Sequence, residues 1–133
     1  MTEVIYLDTA PVIYMVEKVP PWASLVRSRV ERTGVTLITS EMTRMECRVG
    51  PLRNNDQTVL QDFEDYLSTA VSQILPLTRG VMDHAAEIRA RYGFKTPDAI
   101  HLAAAVVSGC DVFLTNDHRL DRFAGIAVET IQP

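Results

Sequence analysis

"VIYLDTAPVIYMVE", residues 4–17, decides how the rest of the chain is read. Val4-Ile5-Tyr6-Leu7 is an unbroken apolar run rich in β-branched and aromatic residues, as a buried strand requires. From about residue 10 the pattern changes to helical spacing, predicted over 10–18. Asp8 and Thr9 stand at the changeover. An acidic side chain at the end of a buried strand needs a reason.

The same alternation runs outward through the chain. Further strands are expected at Val35–Thr39, Gln73–Leu77 and Asp111–Thr115, with a weaker one at Ile126–Ile131. Helical patterns fall between them at 21–33, 41–49, 55–71, 79–92 and 97–108. Pro20-Pro21 divides the first two helices. Gly50-Pro51 with Asn54-Asn55 divides the next two, and Gly93 ends the fifth. Thr96 reads as the N-cap of the last helix, with Pro97 at its first position. Strands separated by helices predict an α/β fold: three layers around a mainly parallel sheet of about five strands. Right-handed crossovers then bring the strand C-termini to one edge, where ligands bind.

The 133 residues suit a single domain spanning 1–133, and no repeat, low-complexity tract or linker interrupts them. Apolar residues make up 47% and charged residues 23%, the balance of an ordinary globular chain rather than a disordered or fibrous one. The net charge of −4 gives no global attraction to nucleic acid or membranes. Any polyanion must be met by a local basic patch or by bound cations. Cys47 and Cys110 lack metal or pairing spacing and are expected to be reduced structural thiols. With no signal-like N-terminus and no membrane-length apolar run, a soluble cytoplasmic protein is expected.

Four carboxylates should gather on the ligand edge: Asp8 after the first strand, Glu46 in the helix after the second, Asp98 near the start of the last helix and Asp117 after the fourth strand. Each has a simpler reading. Asp8 can cap a helix, Asp98 can suit a helix N-terminus, Glu46 can pair with Arg44 or Arg48, and Asp117 can be a turn residue. All four on one edge is the harder pattern to explain that way. Clustered carboxylates repel one another and raise each other's pKa values, and a hard divalent cation relieves the repulsion. All-oxygen ligation suits Mg²⁺ or Mn²⁺; zinc would call for His and Cys at ligand spacing. Such sites serve phosphate chemistry. Glu41 lies about 140° around the helix from Glu46 and should not share its face. Met42, Met45 and Val49 form an apolar stripe beside Glu46.

"VIYLDTAPVIYMVE", "ITSEMTRMECRVGPLR", "KTPDAIHLAAAVVSGCDVFLTND" and the following "HRL" together resemble the PIN domain, in particular the VapC toxins of bacterial toxin–antitoxin pairs. The match runs in order along nearly the whole chain. The resemblance implies a Mg²⁺-dependent ribonuclease, with Mn²⁺ as substitute, held inactive by a cognate antitoxin. By position, Asp8, Glu46, Asp98 and Asp117 match its catalytic, metal-binding acids. Thr9, Thr115 and more weakly Asn116 match supporting polar residues, and Asp121 is a candidate auxiliary acid. Arg48 and Arg53, flanking Gly50-Pro51, are the preferred RNA contacts. His101 is expected to pack near Asp98, whereas His84 and His118 are read as surface residues. An antitoxin tail bearing Arg or Lys would enter the acidic site and lie against Val12, Ile13, Val16, Trp22 and Leu25. The toxin itself is expected as a homodimer or a larger assembly with its partner.

Two other classes compete. A free-standing or non-catalytic binding module would keep the fold without hydrolysis. A phospho-aspartyl phosphatase or receiver-like protein would also place Asp after its first strand. The phosphatase pattern wants a second Asp two residues on, then Gly-Thr, but Ala10 and Pro11 stand there. Metal-dependent RNA cleavage separates these classes from a nuclease.

Overall fold

The computed structural model describes residues 2–133. In chain order its elements are β1 (Glu3–Leu7), α1 (Thr9–Glu17), α2 (Trp22–Val30), β2 (Val35–Ser40), α3 (Glu41–Arg53), α4 (Gln57–Thr69) and β3 (Gln73–Leu75). They continue with α5 (Arg79–Tyr92), α6 (Thr96–Val107), β4 (Val112–Thr115), a 3₁₀ turn (His118–Arg122) and β5 (Ala127–Thr130).

The strands form one sheet in the order β3-β2-β1-β4-β5, and every pairing is parallel. Side-chain alternation sends Ile5 and Leu7 of β1 to one face, with Val112 and Leu114 of β4, against α1, α2, α3 and α4. Tyr6 and Phe113 point to the opposite face, stacked with centroids 5.3 Å apart, under α5 and α6. Helix α6 is buried nearly all round from Ala99 to Ala105. Its run of alanines lets the helix lie close to the sheet, so a polar group on its inner side reaches the strand ends.

The chain builds outward from β1 through β2 to β3, then crosses back to lay β4 on the other side of β1. Adjacent strands whose connections leave in opposite directions make a crevice at their C-terminal ends. Here that crevice lies between β1 and β4, where Leu7 pairs with Leu114. Asp8 and Thr115 are the next residues on each strand.

Several boundaries differ from the sequence pattern. Helix α3 continues through Gly50-Pro51 to Arg53. A proline in the last turn forfeits a single backbone bond, and Asn54 N–H and Asp56 N–H close the carbonyls of Gly50 and Pro51 at 3.0 and 2.8 Å. The break comes at Asn55, with φ of 53°, and Asp56 caps α4. Helix α2 ends at Val30, and β3 ends at Leu75 before Pro76. Thr96 is not the cap of α6. Lys95 holds that position without a side-chain bond, and the Thr96 hydroxyl accepts from Arg89 Nε. The inward face of α3 is Thr43, Cys47 and Pro51, whereas Met45 and Val49 are exposed. On α1 and α2, Val12 is fully buried and Ile13, Val16, Trp22 and Leu25 are half-buried. The exposed large apolar residues are Met45, Val49, Leu52, Met82 and Val107. No described helix is long and apolar enough to cross a membrane.

Candidate acidic site at the β1–β4 crevice

Asp8 is held from both sides of the crevice. Its Oδ1 accepts from the Thr9 backbone N–H at 2.8 Å, capping α1, and its Oδ2 accepts from the Thr115 hydroxyl at 2.8 Å. Capping and site-building are therefore the same geometry. The carboxylate is nearly buried yet fully directed.

Glu46 projects from α3 toward the same crevice. Its Oε1 accepts from the Thr9 hydroxyl at 2.7 Å and from His101 Nε2 at 2.6 Å. Both donors take the one oxygen, so Oε2 has no protein donor among the described residues. The pairing with Arg44 or Arg48 that the simpler reading allows is not formed: both cations bind Glu64, at 3.0 and 2.7 Å. Burial works to raise the Glu46 carboxyl, but the bonds from His101 and Thr9 and the imidazole's field outweigh it and hold the group below its ordinary value.

His101 is the residue that the sequence underrates. It is 2% exposed. Its Nε2 meets Glu46 and lies 3.5 Å from Asp8 Oδ1, and its Nδ1 pairs with the Tyr6 hydroxyl at 2.8 Å. The Tyr6 hydroxyl in turn bonds the Ser40 hydroxyl at 2.7 Å, and Ser40 caps α3. This buried chain ties β1, β2, α3 and α6 together under the acids. Burial pushes the imidazole's pKa down, but the Glu46 bond and the fields of Asp8, Glu46 and Asp98 prevail and raise it. The signal was present: a lone imidazole in a helix buried all round must find partners.

Asp98 sits half-buried in the first turn of α6. It receives no protein hydrogen bond among the described residues. Burial raises its pKa, and the charges of Asp8 and Asp117 raise it further against the opposing fields of His101 and Arg119. Asp117 caps the 3₁₀ turn and is gripped by Arg119, whose Nε and Nη2 reach it at 2.9 and 2.7 Å. That grip holds the Asp117 carboxyl below its ordinary value.

The four acids therefore share the crevice, but they do not close on a common point. Among the described residues, no three of His, Cys, Asp and Glu are grouped closely enough to ligate one ion as they stand. The reason is local: Asp117 is turned onto Arg119, Glu46 onto His101 and Thr9, and Asp8 onto Thr115. The donor set still fits a hard cation. It is carboxylate oxygen throughout, and among the described residues neither Glu46 Oε2 nor Asp98, which lies in a field of like charge, has a protein donor.

The remaining candidates fall around this centre. The Asn116 side-chain amide donates to the Tyr14 hydroxyl at 2.9 Å, tying the turn after β4 to α1. Asp121 accepts from the Thr130 hydroxyl at 2.6 Å, so its carboxylate braces β5 rather than the acids. Arg53 is exposed. Glu41 opens α3 on its exposed side. The Cys47 thiol is pushed up to about 12, by burial first and then by Glu46, Glu17 and Asp8, which removes it as a nucleophile.

Comparison with known proteins gives one answer. The PIN domain model matches residues 5–126. Among solved structures, VapBC2 from Rickettsia felis bound to a promoter DNA fragment superimposes with a TM-score of 0.78 at 12% identity, covering 97% of this chain and 99% of the other. A toxin–antitoxin complex from Klebsiella pneumoniae gives 0.77 at 22% identity, covering 96% and 98%. DNA-bound VapBC from Salmonella typhimurium gives 0.77 at 22% identity, covering 99% and 100%. Among curated protein sequences none matches.

Proposed function

The chain belongs to the PIN domain family, and from that premise we propose that it is a divalent-metal-dependent endoribonuclease acting as the toxin of a toxin–antitoxin pair. The observation that carries the reading is Asp98: a half-buried carboxylate beside Asp8 and Asp117, raised by burial and then by their charges, and given no protein donor among the described residues. A structural acid would be paired or capped; this one suits a cation.

Asp8, Glu46, Asp98 and Asp117 would hold Mg²⁺, or Mn²⁺ in its place. Such an ion, when bound, polarises a phosphoryl oxygen and lowers the pKa of a water. The chain's own contribution is orientation. Thr115 and the Thr9 N–H aim Asp8, while the Thr9 hydroxyl and His101 aim Glu46. Arg119 balances Asp117 and places a guanidinium at the mouth of the crevice.

The partner is an antitoxin. The structures from Klebsiella pneumoniae and Salmonella typhimurium are complexes with one. Beside Glu46 runs a groove of about 120 Å³ whose walls combine Glu17 and Asp56 with Ile13, Val59 and Phe63. An apolar tail carrying a basic residue matches that lining, because a guanidinium pairs bidentately with carboxylate. The exposed Met45, Val49 and Leu52 on α3 supply apolar area for a dimer or larger cytoplasmic assembly.

The test is cleavage of RNA by purified, partner-free protein with Mg²⁺ or Mn²⁺ against chelator. Asp8→Asn, Glu46→Gln, Asp98→Asn and Asp117→Asn should each remain folded and lose about 10²-fold or more of the rate. Glu41→Gln should keep most of it. Metal-independent cleavage, or equal losses at Glu41 and Glu46, would refute the site.

A further inference from the structure

A centre made of four carboxylates repels a polyanionic strand, so cations must lie where that strand enters. The two arginines nearest Glu46 do not serve: Arg44 and Arg48 are both bound to Glu64. On the opposite side, between the start of α6 and the 3₁₀ turn, lies a cleft of about 180 Å³. Phe94, Lys95, Asp98, Arg119 and Arg122 line it.

Lys95 and Arg122 of this cleft are unlike Arg44 and Arg48 of α3. Lys95 is exposed at the cap of α6 and has no acidic ion-pair partner among the described residues. Arg122 likewise has none. Its guanidinium carbon stands 4.3 Å above the Phe94 ring, and its Nη2 donates to the Tyr92 carbonyl at 2.6 Å. Phe94 is itself fixed, stacked on Tyr92 with centroids 5.3 Å apart and edge-on to Phe123. The guanidinium is thus fixed over the ring on an exposed residue, a planar cation suited both to phosphate and to a stacked base. Arg119 stands between this cleft and Asp117. Hydrogen bonds from Arg119 lower the pKa of Asp117, and the fields of Arg119 and then Lys95 add to them, so the positive wall and the acids are near neighbours.

We propose that the Lys95–Arg119–Arg122 cleft is the subsite that seats the phosphodiester backbone of single-stranded RNA beside the acids. Lys95 and Arg122 take phosphate, Arg122 also receives the flanking base on its exposed side, and Arg119 stays paired with Asp117. This rests on the nuclease reading and prefers the cleft to Arg48, which is paired with Glu64; Arg53, exposed at the end of α3, is the competing contact.

The experiment follows binding of a labelled oligouridylate by fluorescence anisotropy over a salt series. Every arm carries Asp8→Asn to hold cleavage off. Adding Lys95→Gln or Arg122→Gln should weaken binding several-fold and lower the slope of log affinity against log salt by about 0.7 each. Arg122→Lys, which keeps charge and loses the plane, should restore the slope but not the full affinity. Arg27→Gln, on the outer side of α2, should change neither. Parent-like slopes for Lys95→Gln and Arg122→Gln, a loss confined to Arg53→Gln, or no binding by the parent would each overturn the cleft. The nuclease reading fails separately: cleft-dependent binding by a wild type that does not cleave RNA with Mg²⁺ refutes it and leaves the cleft standing. Cleavage with cleft-independent binding does the reverse.

Discussion

On the α3–α4 side of the acidic centre, Glu64 binds both Arg44 and Arg48, and the groove beside Glu46 keeps the charges of Glu17 and Asp56. On the α6 side, Lys95 and Arg122 have no acidic partner among the described residues and stand next to Asp98. A chain with a net charge of −4 therefore presents one acidic wall and one basic wall to the same crevice. Net charge bounds a protein's long-range attraction, but which cations are already paired decides what a site admits. In this reading the basic wall receives substrate and the acidic, apolar wall receives the inhibitory partner, so that both can meet at the acids between them.

The floor common to both walls gives the largest expected effect. His101→Leu removes the donor to Glu46 and strands the buried Tyr6 hydroxyl against Ser40 alone. The cost is about 1–3 kcal/mol for each buried group left unsatisfied, read by urea unfolding, with RNA cleavage lost alongside. His101→Gln, which can keep one of the bonds, should lose less stability. Wild-type stability in His101→Leu would mean that the polar chain does not organise the centre.

A smaller effect should come from reversing the acidic wall. Glu17→Lys and Asp56→Lys should each weaken capture of the co-expressed antitoxin by up to about fivefold, as screened surface charges allow, without impairing RNA binding. Calorimetry on both ligands reads the contrast. Equal losses for RNA and antitoxin would collapse the two walls into one surface.

The smallest effect concerns Asp98. Burial and the charges of Asp8 and Asp117 raise its folded-state pKa above 3.8. Its ionised form therefore costs stability above that folded pKa, and the cost is relieved as pH falls and the folded state takes up the proton first. Asp98→Asn should melt slightly higher than wild type at neutral pH without divalent ions, and the difference should shrink as pH falls toward 3.8. A Tm difference that does not change with pH would mean that Lys95 and Arg119 already neutralise the acids.

Local pattern placed the strands because their apolar runs are short, β-branched and bounded by turn residues. It placed α5 because Gly93, with φ of 72°, ends the helix in a conformation that glycine adopts without strain. It misplaced the end of α3 because Gly50-Pro51 is a breaker in mid-helix and nearly harmless in a last turn. The distinction depends on where the following loop turns, at Asn55. The alternative pairing of Glu46 with Arg48 is not formed for a related reason: Glu64, which takes Arg48, belongs to the next helix, and helix pairing is not visible in either segment alone.

From the sequence itself came the alternation of strand and helix, the placing of Asp8 and Asp117 just beyond strand ends, and the helical phase that separates Glu46 from Glu41. These follow from periods of two and 3.6 residues, which are properties of a single segment. Only the tertiary structure decided that both donors to Glu46 take one oxygen, that His101 rather than Arg44 or Arg48 is its partner, and that Lys95 and Arg122, without acidic partners among the described residues, line a cleft with Asp98. Charge pairing is set by which side chains from distant segments come within about 4 Å of each other. In this chain those neighbours are assigned by the crossing from β3 back to β4, which no local pattern records.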